Sequence, residues 1–254
     1  MFSISPYKLE MYLRCPRQYK FEYVDSLRKA YHKDTPPLVI GGLIHAALNH
    51  YYRRTPRNER TSEKLREIFK EKFLSHHEKK DPRYRVYGQN QETVNKWVSK
   101  AIRQLENFFK NDLARNEPFI APEENSKYNI GESEEGKIQL LGKLDRVDKT
   151  EEGLHIIDYK TGTLRDDIID PLQLDFYHLL LSYLAPEVPV VRKTYYYLDE
   201  DKMVDVEVRE NETEKVYFKV LETVEKIKND KDFPPFRNHK CRLCDYKSIC
   251  EANK

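Results

Sequence analysis

The spacing of apolar positions changes partway along this chain. From Ser5 to about Tyr23, Ile44 to Tyr52, Thr61 to Lys79 and Gln91 to Arg115, hydrophobic residues return every three or four positions, which predicts helices. Ser5-Pro6 supplies an N-cap and a first-turn proline for the first of these. Trp97, Ile102, Leu105, Phe108 and Phe109 form the apolar stripe of the last. Between them, Arg28 to Pro37 reads as a loop leading into a Gly41-Gly42 turn. After Pro118 the pattern becomes strand-like. Ser126 to Ile130, Lys137 to Val147 and Leu154 to Lys160 predict a meander, with Glu151-Glu152-Gly153 as a hairpin turn. A helix over Pro171 to Leu184, a strand pair over Val190 to Leu198 and Met203 to Val208, and a helix over Val216 to Ile227 follow. Phe233-Pro234-Pro235 then starts an irregular C-terminal segment. There is no repeat and no low-complexity tract, so the order of elements predicts a mixed α+β or α/β chain.

Composition narrows this picture modestly. A chain of 254 residues suits one large domain. No apolar run approaches the roughly 20 residues needed to cross a bilayer, and the polar N-terminus lacks the apolar core of a signal peptide. The expectation is an intracellular, cytoplasmic protein without a membrane partner. A net charge of +2 neither requires nor excludes nucleic acid, because binding depends on local charge. Two basic stretches exist: Arg53, Arg54, Arg57, Arg60, Lys64 and Arg66, then Lys79, Lys80, Arg83 and Arg85. Glu59, Glu63, Glu67 and Glu71 are interspersed, so these read as solvated helix faces or as phosphate contacts. The 18 tyrosines offer faces for stacking single-stranded bases, although most such rings serve the core or surface.

The candidate chemistry lies in the strand region. Side chains two apart on a strand share a face about 6.5 Å apart, so Asp158 and Lys160 project together. Pairing the two flanking strands antiparallel brings Asp145 beside Asp158. Two carboxylates suit a hard divalent cation such as Mg²⁺ or Mn²⁺, and an adjacent ammonium can orient water or offset charge on phosphorus. Taken alone, Asp-x-Lys in a chain that is 35% charged reads as a salt bridge.

Four short motifs in order change that reading. Gly41-Gly42-Leu43-Ile44-His45, Gly142-Lys143-Leu144-Asp145, Asp158-Tyr159-Lys160 and Gln173-Leu174-Asp175-Phe176-Tyr177 resemble the RecB-like branch of the PD-(D/E)xK nuclease superfamily. The resemblance implies a restriction-endonuclease-like core with a mixed central sheet. It implies that His45, Asp145 and Asp158 bind Mg²⁺ or Mn²⁺ with the Tyr159 carbonyl, and that Lys160 is the catalytic lysine. Gln173 and Tyr177 would contact nucleic acid or brace that lysine. From the residues alone, His45 is equally a solvated or core-edge histidine, while Gln173 and Tyr177, four apart, share one face of a sheet-packing helix.

Cysteines carry a separate signal. Cys15 stands near the start, and Cys241, Cys244 and Cys250 form C-x2-C-x5-C near the end. Four thiolates hold a 4Fe-4S cluster or a tetrahedral zinc ion; His239 is a substitute ligand for zinc, and two disulfides are the competing use. The arrangement, with Cys15-Pro16 in its helix, resembles the iron-sulfur staple of some RecB-like nucleases, including AddB-type subunits and CRISPR-associated relatives. A staple closing the loop from Cys15 to Cys241 would favour folding by roughly 4 to 5 kcal/mol if it acted as one disulfide does.

The resemblance thus implies one nuclease domain over residues 1–254, with a helical lobe inserted at 53–118 and a cysteine segment at 233–254 joined to Cys15. The implied activity is metal-dependent hydrolysis of DNA, as an exonuclease acting on ends or single strands and leaving 5′-phosphates. The alternative is a noncatalytic DNA-binding or scaffold subunit, partnered by a helicase or a CRISPR-adaptation protein.

Overall fold

Every side chain from Leu154 to Tyr159 is buried, because the strand they form is covered on both faces. The computed structural model describes residues 1–78, 91–111, 117–119, 124–133, 136–164 and 169–253. Within them lie β1 (Phe2–Ile4), β2 (Glu124–Ser133), β3 (Gly136–Leu144), β4 (Arg146–Lys149), β5 (Leu154–Lys160), β6 (Val190–Tyr197) and β7 (Lys202–Val206). The α-helices are α1 (Pro6–Arg14), α2 (Pro16–Tyr19), α3 (Arg28–Tyr31), α4 (Pro36–Arg54), α5 (Ser62–Glu78), α6 (Gln91–Lys110), α7 (Leu172–Leu184) and α8 (Glu212–Asn229). The basic residues Lys79, Lys80, Arg83 and Arg85, and the expected helix end over 112–115, lie outside the described residues. No described helix is long and apolar enough to cross a membrane.

The strands form two sheets where one mixed central sheet is expected. One has the order β1-β3-β2, the other β4-β5-β6-β7, and each mixes parallel and antiparallel pairs. The expected strand from Lys137 to Val147 is divided at Asp145: its first part belongs to one sheet and its second, β4, pairs antiparallel with β5. The other neighbour of β5 is the parallel β6, reached across α7. β1, which carries no sequence signal of its own, pairs parallel with β3.

Strand alternation explains the two cores. Leu154 and Ile156 face a cluster built with α1, α7 and α8, whereas Ile157 and Tyr159 face one built with α4, α5 and α6. Tyr195 and Tyr197 of β6 follow the first face, and Tyr196 the second. A strand buried on both sides reads as the nearly continuous apolar run seen here.

Two helical expectations are corrected. The first helix breaks at Cys15, which is extended (φ −162°, ψ 101°), as the residue before a proline prefers; a π-helical turn over Lys20–Val24 ends the segment. Gly41-Gly42 is no turn but lies inside α4, and part of the expected Arg28 to Pro37 loop forms α3. A Cβ on Gly41 would sit 2.7 Å from Thr161 Oγ1, so glycine lets α4 approach the end of β5. Gly142 serves α7 in the same way: a Cβ there would meet Leu180 Cδ2 at 2.3 Å.

Candidate active site

The two close approaches deliver the site. Gly41 brings α4 against Thr161, and one turn later His45 Nδ1 stands 2.8 Å from Asp145 Oδ1. Asp145 occupies the break between β3 and β4, where its other oxygen accepts the Tyr159 backbone N–H at 2.9 Å. The carboxylate therefore ties the division of the strand to β5. On the α7 side of β5, Lys160 Nζ lies 2.6 Å from Asp158 Oδ2 and 4.5 Å from the centre of the Tyr195 ring.

Gln173, in the first turn of α7, joins these groups. Its Oε1 accepts from Lys160 Nζ at 2.7 Å, while its Nε2 donates to Asp158 Oδ1 at 2.8 Å and lies 3.1 Å from the Tyr177 hydroxyl. Tyr177 in turn donates to the Lys143 carbonyl at 2.8 Å, tying α7 to the strand that carries Asp145. Polar side chains four apart on one helix face are thus used together. His45 and Asp145 form one pair, tied to β5 through the Tyr159 N–H, and Asp158, Lys160, Gln173 and Tyr177 form a second bonded group on the adjoining residues of that strand and α7.

Electrostatics distinguish the two carboxylates' surroundings. Asp158 is 3% and Asp145 6% exposed. Burial, with a contribution from the Asp145 charge, holds the Asp158 carboxyl up at about 6, against the opposing pull of Lys160 and His45. Two buried carboxylates, one of them paired with an imidazole, make an oxygen-rich donor set, which fits a hard divalent cation that would offset their repulsion. Among the described residues no three His, Cys, Asp or Glu side chains stand as a formed metal cage. In the present arrangement the carboxylates are instead engaged by His45, Lys160 and Gln173.

Three contributors escape a motif-based reading. Gln104 of α6, 1% exposed, donates to the Thr161 carbonyl at 3.0 Å and holds the chain directly after Lys160. Its signal is a polar residue inside the buried stripe of Ala101, Leu105 and Phe108. Arg146, fully buried, donates to Asp148 at 2.6 Å and to the Tyr52 hydroxyl at 3.0 Å. Tyr195 lies under the lysine, and only its place in the tyrosine run of β6 marks it. The first basic stretch is largely engaged at home: Arg60 contacts Glu117 and the Thr55 carbonyl, and Arg66 contacts Glu63 and Glu106.

The cysteines converge at a second place. Cys15, Cys241, Cys244 and Cys250 are free thiols lining one cavity between the start of α2 and the C-terminal segment. Backbone N–H groups of Phe236 and Asn238 lie 3.5 and 3.4 Å from Cys15 Sγ and Cys241 Sγ. Burial pushes the Cys244 thiol up, as do the charges of the other three cysteines, against an opposing backbone hydrogen bond at Tyr246. As placed, the four thiols line the same cavity without forming a metal cage.

A model of the PD-(D/E)XK nuclease superfamily matches residues 3–251. Among solved structures, the crystal structure of SSO0001 is similar at 11% identity, covering 99% of this chain and 87% of that one, with a TM-score of 0.46.

Proposed function

This chain belongs to the PD-(D/E)XK nuclease superfamily, whose membership implies a metal-dependent nuclease acting on DNA, and from that premise we propose a Mg²⁺- or Mn²⁺-dependent deoxyribonuclease of the RecB-like branch. It acts as an exonuclease on DNA ends or single strands and leaves 5′-phosphates. The observation that carries this reading is the bonding of Asp158, Lys160 and Gln173 to one another beside Asp145, which holds the N–H of the residue between Asp158 and Lys160.

Asp145 and Asp158, with His45 and the Tyr159 carbonyl, would hold a divalent ion, which when bound would supply Lewis acidity toward the scissile phosphate and an attacking water. Lys160, steered by Gln173 and backed by the Tyr195 ring, places its ammonium where negative charge grows on phosphorus. The water oxygen bonds to phosphorus as the bond to the 3′ oxygen breaks, and that oxygen takes up a proton. Tyr177 keeps α7 at the distance from β3 that this alignment needs. The cysteine quartet would hold a 4Fe-4S cluster that staples the C-terminal segment to Cys15.

End-labelled single- and double-stranded DNA, incubated with the intact protein and Mg²⁺ or Mn²⁺, tests the reading. Products that accept ligation only by virtue of a 5′-phosphate support it. Failure to cut any form of DNA, with binding retained, points to the noncatalytic subunit.

A further inference from the structure

Two cavities meet at one tyrosine. The first, about 450 Å³, is the cleft lined by Lys160, Gln173 and Tyr195. The second, about 980 Å³, lies between the start of α4, the short α3 and the cysteine-bearing segment. Tyr7, in the first turn of α1, lines both, with its side chain half exposed. Nothing in the catalytic network uses the second cavity.

Its lining is unusual for an ordinary surface recess. Leu243 stands between two cysteines of the quartet yet is 90% exposed, and Leu38 opposite is exposed as well. Arg28 and Lys33 supply cationic groups; Arg28 pairs with buried Glu22 at 3.1 Å while remaining largely exposed. The cavity's two carboxylates, Asp34 and Asp245, both engage His32, at 3.4 and 2.9 Å. Exposed ring and leucine faces beside cations match what a single strand presents: a flat apolar base and an anionic linkage at each step. A duplex keeps its base faces inside its stack and would leave Tyr7 and the two leucines without contact.

We propose that the second cavity is a subsite for single-stranded nucleic acid. The strand whose scissile phosphate lies at Lys160 continues across Tyr7 and packs its bases on Tyr7, Leu38 and Leu243, with phosphates toward Lys33 and Arg28. This assignment rests on reading the cleft as the nuclease site. It makes the cysteine segment a wall of the substrate path in addition to a clasp between the chain's ends.

Fluorescence anisotropy with labelled oligothymidylates of about 4 and about 16 nucleotides, the span of known single-strand sites, tests it in buffer without divalent cations. The intact protein binds the long strand more tightly than the short one. Tyr7→Ala and Leu243→Ser each weaken long-strand binding about tenfold, the loss of one stacked base, and Tyr7→Trp restores it. Lys33→Ala lowers the salt dependence by about one counterion. If both Tyr7→Ala and Leu243→Ser bind the long strand as the unaltered protein does, while that protein cleaves DNA, the subsite is overturned and the nuclease reading stands. If the unaltered protein neither binds nor cuts any strand, both fall.

Discussion

Gln173 shows how much of this site depends on one uncharged side chain. It touches both the Lys160 ammonium and the Asp158 carboxylate, so its loss removes one of the three partners that position Lys160, leaving Asp158 and the Tyr195 ring. Gln173→Ala should lower kcat about 100-fold, the scale of a misplacement near 1 Å, with a much smaller change in KM; steady-state kinetics on a single-stranded substrate checks this. His155 makes one contribution to the pH dependence of stability. It is buried on β5 against Thr194 Oγ1 at 2.6 Å, and burial, aided by Arg192 and Arg146, pushes its pKa down to about 4. The unfolded chain, titrating near 6.5, binds the proton first. Its contribution is therefore complete above about pH 6.5 and is lost as pH falls toward 4, by at most about 3 kcal/mol, while the buried Asp158 carboxyl, held up, acts in the opposite direction over the same window. The His155 share is read as a difference: urea midpoints of His155→Gln should fall less, or rise more, than those of the parent as pH drops from about 6.5 to about 4. Equal slopes for the two proteins would remove His155 as the cause.

At the scale of elements, the geometry of the proposed site depends on helices lying close to strands. Gly41→Ala places a methyl group against Thr161 and should cost about 1 to 3 kcal/mol; adding Thr161→Ala should recover most of it. Thermal melts of the single and double variants decide the matter, and equal midpoints for Gly41→Ala and the parent would refute the close-approach argument. A buried ionic group ties β6 to α7 and α8 in a similar way: Lys193, with no exposure, contacts Asp175 at 2.6 Å and also Glu212. Lys193→Met removes the buried partner shared by two carboxylates, which keep Arg209 and, for Glu212, His178, and should destabilise by about 1 to 3 kcal/mol in denaturant unfolding. These elements were unequally legible in the sequence. β5 and α7 stand out because apolar runs on both sides of a carboxylate, and a glutamine four before a tyrosine, are local patterns. The division at Asp145 is not local, since Lys137 to Val147 reads as one strand and only the Tyr159 N–H, reached through folding, accounts for where it ends. Gly41-Gly42 misleads for a related reason: a glycine required by a neighbouring chain looks like one required by a turn.

Across the whole molecule, the two ends of the chain meet while its middle carries the chemistry. Arg17 donates to the Phe233 carbonyl at 2.9 Å, Tyr12 to Asp230 at 2.8 Å, and the four cysteines share one cavity nearby. That meeting was inferred only from the resemblance, since the spacing of the cysteines by itself leaves open what Cys15 faces in space. On the proposed staple, Cys15→Ser should abolish the visible absorption of anaerobically purified protein and lower its unfolding free energy by several kcal/mol, on the order of one long-loop crosslink. A colourless parent protein carrying zinc would replace the cluster with a zinc staple. The central claim concerns the middle of the chain, and it is tested most directly by cleavage of one end-labelled single strand in Mg²⁺ or Mn²⁺ by the parent protein, Asp158→Ala and Lys160→Ala. The network predicts metal-dependent cutting by the parent and a loss of at least about 100-fold in each variant whose fold and strand affinity are retained. Undiminished cleavage by both variants would contradict it.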